Sequence, residues 1–211
     1  DSPQTVVRVS TDSSDQEANG SSIGGVFSAD GTQVLFDSNA SNLVADDTND
    51  VYDVFVKDIK TGEITRISTD ATGKQANGDS FGVVFSADGS KVLFESAASN
   101  LVANDNNGQI DVFLKDLKTG EITLVSANGS AEGFNGNSYG IAVSADGTKV
   151  LFDSDASNAV SGDTNSVTDA FIKDLTTGEI TRASTDSGDK EVQGSAIVAV
   201  GMSADGTKVL L

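Results

Sequence analysis

The chain has 211 residues, enough for a sizeable core, and carries 32 acidic side chains against 13 basic ones for a formal charge of -19. That balance repels polyphosphates and leaves no basic stripe, so nucleic acid is excluded as a partner and an anionic membrane surface is disfavoured. Cys, His and Trp are absent, which removes disulfides, thiolate or imidazole metal sites and a histidine general base.

No apolar run reaches the length of a membrane span. The sequence opens at Asp1 without a signal-like stretch, which suggests a processed or excised piece of a longer protein. The first predicted element is a strand over residues 5–10, where Thr5–Val9 matches Glu63–Ile67 at an offset of 58 residues. A unit of four short strands then recurs at that interval, over about 19–68, 77–126 and 135–184, with a partial copy over 193–211. Each unit opens with Asn-Gly and a Ser, degenerate as Gln193-Gly194 in the last copy. A small apolar run (strand a) follows: Ile23–Phe27, Phe81–Phe85, Tyr139–Val143 and Ile197–Met202. Ser-Ala-Asp-Gly comes next, ending at Gly31, Gly89, Gly147 and Gly206; Asp-Gly between two apolar runs signals a hairpin. Strand b is Val34–Phe36, Val92–Phe94, Val150–Phe152 and Val209–Leu211. An Asp/Asn loop leads to strand c, Val54–Val56, Val112–Leu114 and Ala170–Ile172. A Thr-Gly turn then gives strand d, Ile64–Ile67, Ile122–Val125 and Ile180–Ala183, alternating apolar and polar as an outer strand does.

No segment shows a helical period with caps. The fold class expected is all-β, a β-propeller of four-stranded antiparallel blades, three complete and a fourth incomplete. A solenoid of stacked sheets is the alternative. The fourth unit lacks its loop and strand c, about 22 residues by comparison with the others. Truncation of a longer propeller accounts for that, and is favoured over a strand supplied by another molecule.

The string Ser-Ala-Asp-Gly-x-x-Val-Leu-Phe, Ser-Asn-Leu-Val, Asp-Thr-Asn-x-x-x-Asp-Val-Phe-Val-Lys-Asp, Thr-Gly-Glu-Ile-Thr-Arg-Ile-Ser resembles the TolB-type propeller repeats of secreted bacterial proteins, across essentially the whole chain. The resemblance implies the propeller fold. It also implies kinship with acidic, calcium-dependent exported proteins, whose propellers serve as binding platforms, enzyme appendages or parts of surface proteins. The chain departs from that pattern in having no Pro in strand a, its only Pro being Pro3, and in placing Asn104 where the first loop has Asp46.

The loop reads Asp-x-Asn-x-x-x-Asp three times: Asp47, Asn49, Asp53; Asp105, Asn107, Asp111; Asp163, Asn165, Asp169. Carboxylates at positions one and seven with an amide oxygen at three suit calcium, which takes six to eight oxygens in flexible geometry. Without nitrogen or sulfur ligands, zinc and copper do not fit. Position five varies as Val51, Gln109 and Val167 and supplies no side-chain ligand. The same residue types also build solvated Asx turns, so the bland reading stands beside the metal one. Asp30, Asp88, Asp146 and Asp205 precede turn glycines, and Asp58, Asp116 and Asp174 close strand c; both sets read as turn-forming. Asp37, Glu95 and Asp153 follow strand b and are secondary ligand candidates. Phe36, Phe94 and Phe152, with Phe55, Phe113 and Phe171, read as core between blades.

Every acidic cluster is repeated, which argues against the single asymmetric carboxylate pair of a glycosidase, and no nucleophile motif stands out. The expectation is a non-enzymatic, secreted or cell-surface (or periplasmic) calcium-binding module with a protein partner or self-association. The alternatives are a calcium-dependent glycan-binding module, or an accessory domain of a larger secreted enzyme.

Overall fold

A computed structural model describes residues 6–129 and 133–211. Within them the chain forms three four-stranded antiparallel sheets and one two-stranded sheet, with no helix. The first sheet is β1 (Ser22–Phe27), β2 (Gln33–Ser38), β3 (Asp53–Asp58) and β4 (Ile64–Arg66), each beside its neighbour in sequence. The second is β5 (Ser80–Phe85), β6 (Lys91–Ser96), β7 (Asp111–Asp116) and β8 (Ile122–Leu124). The third is β9 (Ser138–Val143), β10 (Lys149–Ser154), β11 (Asp169–Asp174) and β12 (Ile180–Arg182). The last holds β13 (Gly201–Met202) and β14 (Val209–Leu210). These are propeller blades in chain order. The predicted strand over residues 5–10 does not form: residues 6–10 pair with no sheet, and Thr5 lies outside the described residues. Residues 6–8 are exposed, so water meets their amides and no ladder holds the segment as a strand.

The middle strands are buried on both faces, which is why they read as unbroken apolar runs. Phe36 lies opposite Phe55 in the ladder, Phe94 opposite Phe113 and Phe152 opposite Phe171, with ring centroids 5.7, 5.5 and 5.7 Å apart. The Phe94–Phe113 pair packs on Leu35, Val54 and Val56 of the blade before, and Phe152–Phe171 packs on Leu93, Val112 and Leu114. Such buried large side chains contribute about 1.5–3 kcal/mol each. The tightest fit is at strand a: a Cβ on Gly82 would stand 2.8 Å from Leu35 Cγ, and one on Gly140 2.9 Å from Leu93 Cδ2. Only glycine lets the leucine of the preceding blade rest there.

Two polar latches tie each blade to its neighbours. A β-bulge follows Gly82 and Gly140 in strand a, and the amides of both glycines donate to the blade before. Gly82 N–H then donates to Asp37 Oδ1 at 2.8 Å, Gly140 N–H to Glu95 Oε1 at 2.9 Å, and Ala199 N–H to Asp153 Oδ1 at 2.9 Å. Asp37, Glu95 and Asp153 are therefore links to the next blade and not ligands of the Asp/Asn loop, a correction to the expectation from sequence. Burial pushes Asp37 up to about 6, Glu95 to about 7 and Asp153 to about 6. In the opposite direction, a buried lysine of strand c reaches back to the turn that precedes its own blade. Lys57 Nζ donates to Thr11 O at 2.8 Å and Asp12 O at 2.9 Å; Lys115 Nζ donates to Thr69 O at 2.8 Å and Asp70 O at 2.9 Å. Lys173 Nζ donates to Ala127 O at 2.6 Å and Val125 O at 3.0 Å, and burial lowers it to about 8.

The turn aspartates behave as expected. Asp30 accepts from Ser28 Oγ at 2.7 Å and from Thr32 N at 3.0 Å, beside Gly31 at φ 69°. Asp58 accepts from the amides of Lys60 and Thr61 at 2.9 and 2.7 Å. Hydrogen bonds to their charged forms hold both below the usual carboxylate range.

Candidate cation site

The Asp/Asn loop lies between strands b and c. Two of its positions have left-handed backbone in every blade: Asp46, Asn104 and Gly162 at φ 58°, 69° and 84°, then Asp50, Gly108 and Ser166 at 57°, 67° and 58°. Asp, Asn and Gly tolerate that region best, so the Asn104-for-Asp46 exchange follows from backbone conformation and carries no ligand meaning.

The seventh loop residue is the hub. Asp53 accepts from Ser68 Oγ on one oxygen and from Asn49 Nδ2 at 2.9 Å on the other. Asp111 accepts from Ser126 Oγ at 2.5 Å and Asn107 Nδ2 at 2.7 Å; Asp169 from Ser184 Oγ at 2.6 Å and Asn165 Nδ2 at 2.9 Å. Each serine also takes the amide of the residue after the aspartate: Val54, Val112 and Ala170, at 3.1, 3.0 and 3.1 Å. Each asparagine reaches a second acceptor, the carbonyl of Ala76, Phe134 or Val192, at 3.0 Å. An atom facing a carboxylate and a carbonyl must be the amide nitrogen. Asn49, Asn107 and Asn165 thus present donors to the aspartate, while their Oδ1 atoms turn to the amides of Val51, Gln109 and Val167. The structure brings each triplet together, but with the asparagine oxygen turned away from the carboxylates.

The first loop residue meets a group that sequence reasoning missed. In the first blade, Arg66 from β4 places NH1 3.1 Å from Asp47 Oδ1, 3.5 Å from Asp53 Oδ2 and 2.9 Å from Gln75 Oε1. In the third, Arg182 from β12 lies 3.4 Å from Asp163 Oδ2, 3.7 Å from Asp169 Oδ2 and 2.8 Å from Glu191 Oε1. Carboxylate oxygens of Asp163, Asp169 and Glu191 fall within 4.8 Å of one another, a cluster able to hold a metal ion, and the guanidinium stands among them. Burial raises Asp47 and Asp163, and the arginine beside each opposes that rise.

The second blade has neither partner. Leu124 stands where Arg66 and Arg182 do, opposite Phe113 as they are opposite Phe55 and Phe171. Gly133 stands where Gln75 and Glu191 do, each bridged across the same turn. Asp105 and Asp111 are 3% and 0% exposed, and among the described residues no basic side chain pairs with either. Burial first, and the neighbouring Asp111 charge second, push Asp105 up to about 6. The recurrence of Ser68, Ser126 and Ser184, and the Arg-to-Leu break in the second copy, were the sequence signals that could have revealed this arrangement.

Comparison with known proteins finds no matching family model and no matching curated protein. Solved structures with similar folds include the tricorn protease, at 14% identity and TM-score 0.49 over 74% of this chain and 14% of that one. A prolyl endopeptidase aligns at 15% identity and TM-score 0.49, over 77% of this chain and 22% of that one. An oligogalacturonate lyase solved in complex with manganese aligns at 17% identity and TM-score 0.45, over 78% and 48%. The chain spans less than half the length of each of these, and the likeness is one of fold alone.

Proposed function

We propose that this chain is a calcium-binding propeller module of a secreted or cell-surface protein, whose role is to associate with other blades of its own kind. The observation that carries the reading is that the blades share one repeated contact, a leucine of one blade on a glycine of the next. Leu35 and Leu93 are buried on Gly82 and Gly140 of the following blade. Leu210 holds the same ladder position in the last sheet and is 63% exposed. Gly24 holds the position of Gly82 and meets only Asp37 Oδ2 at 3.5 Å. Phe27 is 65% exposed, whereas Phe85, its counterpart in the next blade, is 6% exposed. A leucine knob and a glycine socket on opposite faces form a head-to-tail pair, the contact on which a further blade would pack, whether from the same chain or from a second copy.

Calcium is the cation that fits an all-oxygen donor set at extracellular concentrations, and the resemblance to TolB-type repeats supports the same setting. The burial of the loop carboxylates favours a cation closed in by protein over one left open to a sugar. Because each acidic cluster recurs blade by blade, the reading assigns the chain no catalytic role. Light scattering coupled to size exclusion tests it. The chain should show concentration-dependent self-association, and Phe27→Asp or Leu210→Asp should abolish it. A chain that stays monomeric at every concentration would remove the proposal.

A further inference from the structure

The three loops share one build and differ at the place where their charge is met. In the first and third blades a guanidinium occupies the space between the first and seventh loop residues. In the second, Leu124 removes that cation while both carboxylates stay buried. Asp111 remains satisfied by Ser126 and Asn107. Asp105 is 3% exposed and has no side-chain donor or basic partner among the described residues. Two buried carboxylates, at the positions whose equivalents Asp47 and Asp53 share Arg66 NH1, are costly without a cation. The neighbouring blades show, on equivalent residues, where a cation sits.

We propose that the second blade holds a single divalent cation, calcium by its donor chemistry, in the place where the flanking blades hold an arginine. Asp105 and the Asn107-bonded oxygen of Asp111 are its anionic ligands, and loop carbonyls and water complete the shell. One divalent ion balances two carboxylates. In the first blade Arg66 already offsets one of the two charges. In the third, Arg182 would have to leave Glu191 before a metal could enter among the three acids. The loops are thus one design with two interchangeable counter-ions, a built-in guanidinium or a metal taken from solution.

The inference rests on the reading that these loops take calcium, and narrows it to one blade. Calorimetric titration of calcium into the EDTA-stripped 211-residue chain, with thermal melts alongside, tests both. One calcium per chain is expected, with a higher melting temperature when it is bound. Leu124→Arg supplies the missing guanidinium and should reduce uptake to none. Asp105→Asn keeps the shape, removes one anionic ligand and should do the same. Both variants should melt in EDTA at or above the wild-type temperature. If the wild type takes up no calcium, the calcium reading and this inference fall together. If it does and both variants keep the same stoichiometry, the ion sits elsewhere and this inference alone is overturned. Should Leu124→Arg not fold, the isosteric Asp105→Asn decides.

Discussion

Arg66 and Leu124 hold the same ladder position in consecutive blades, opposite Phe55 and Phe113, and only Arg66 brings a charge to the aspartates beyond it. Arg66→Leu would convert the first blade to the pattern of the second, leaving Asp47 and Asp53 buried without a counter-ion. Removing one partner of a buried ion pair costs about 3–5 kcal/mol, so the denaturation midpoint in EDTA should fall by a corresponding amount. Calcium should restore part of the loss by filling the vacated place. A variant as stable as wild type in EDTA would show that the guanidinium contributes nothing to the loop.

The wild-type response to chelator follows from the same contrast. A ligand that binds only the native state stabilises it by RT ln(1 + [L]/Kd), about 2.7 kcal/mol at a hundredfold excess over Kd. Adding EDTA at low ionic strength should therefore lower the melting temperature by several degrees, and excess calcium should reverse it. Sodium at matched ionic strength should not. An unchanged melt would count against calcium in any blade.

Much of this fold was legible because its rules are local. Asp-Gly sets each hairpin, with Gly31, Gly89, Gly147 and Gly206 at φ 65–70°, and unbroken apolar runs mark strands buried on both faces. The site was half legible. The recurring Asp and Asn positions located the loop, and those residues do converge. The counter-charge comes from strand d as Arg66, held by Gln75 of the turn beyond it, and both fold back onto a loop already passed. No local pattern encodes that return. The assignment of Asp37, Glu95 and Asp153 failed for a related reason: adjacency in sequence suggested the loop, while the acids accept from the amides of Gly82, Gly140 and Ala199 in the next blade.

The lysine latch predicts a second kind of loss. Lys115 Nζ gathers Thr69 O, Thr69 Oγ1 and Asp70 O at 2.8, 3.1 and 2.9 Å. Lys115→Met keeps most of the stem volume and removes the donor. Leaving buried oxygens unpaired costs about 1–3 kcal/mol, read as a lower urea midpoint with an unchanged m-value. A neutral result would mean that water replaces the ammonium.

The acid latches set the response to pH. A carboxyl whose pKa is higher folded than unfolded binds its proton more tightly in the fold, so it favours the folded state as pH falls towards the unfolded value. Glu95 does so between about 7 and 4.5, and Asp37 and Asp153 between about 6 and 3.8. The turn aspartates act in the other direction. Asp88, Asp146 and Asp205, held down to about 2 by Ser and backbone donors, contribute stability above 3.8 that disappears as pH drops through their folded values. In EDTA, the melting temperature should therefore be higher at pH 5 than at pH 8, and should collapse again towards pH 2. Glu95→Gln keeps an oxygen for Gly140 N–H but cannot ionise, so it should flatten the slope between pH 5 and 8 while leaving the fold intact. Glu95→Ala removes the acceptor as well and should be less stable at every pH. Melts across this range for the three proteins check the assignment, and a Gln variant with the wild-type slope would move the titration to another group.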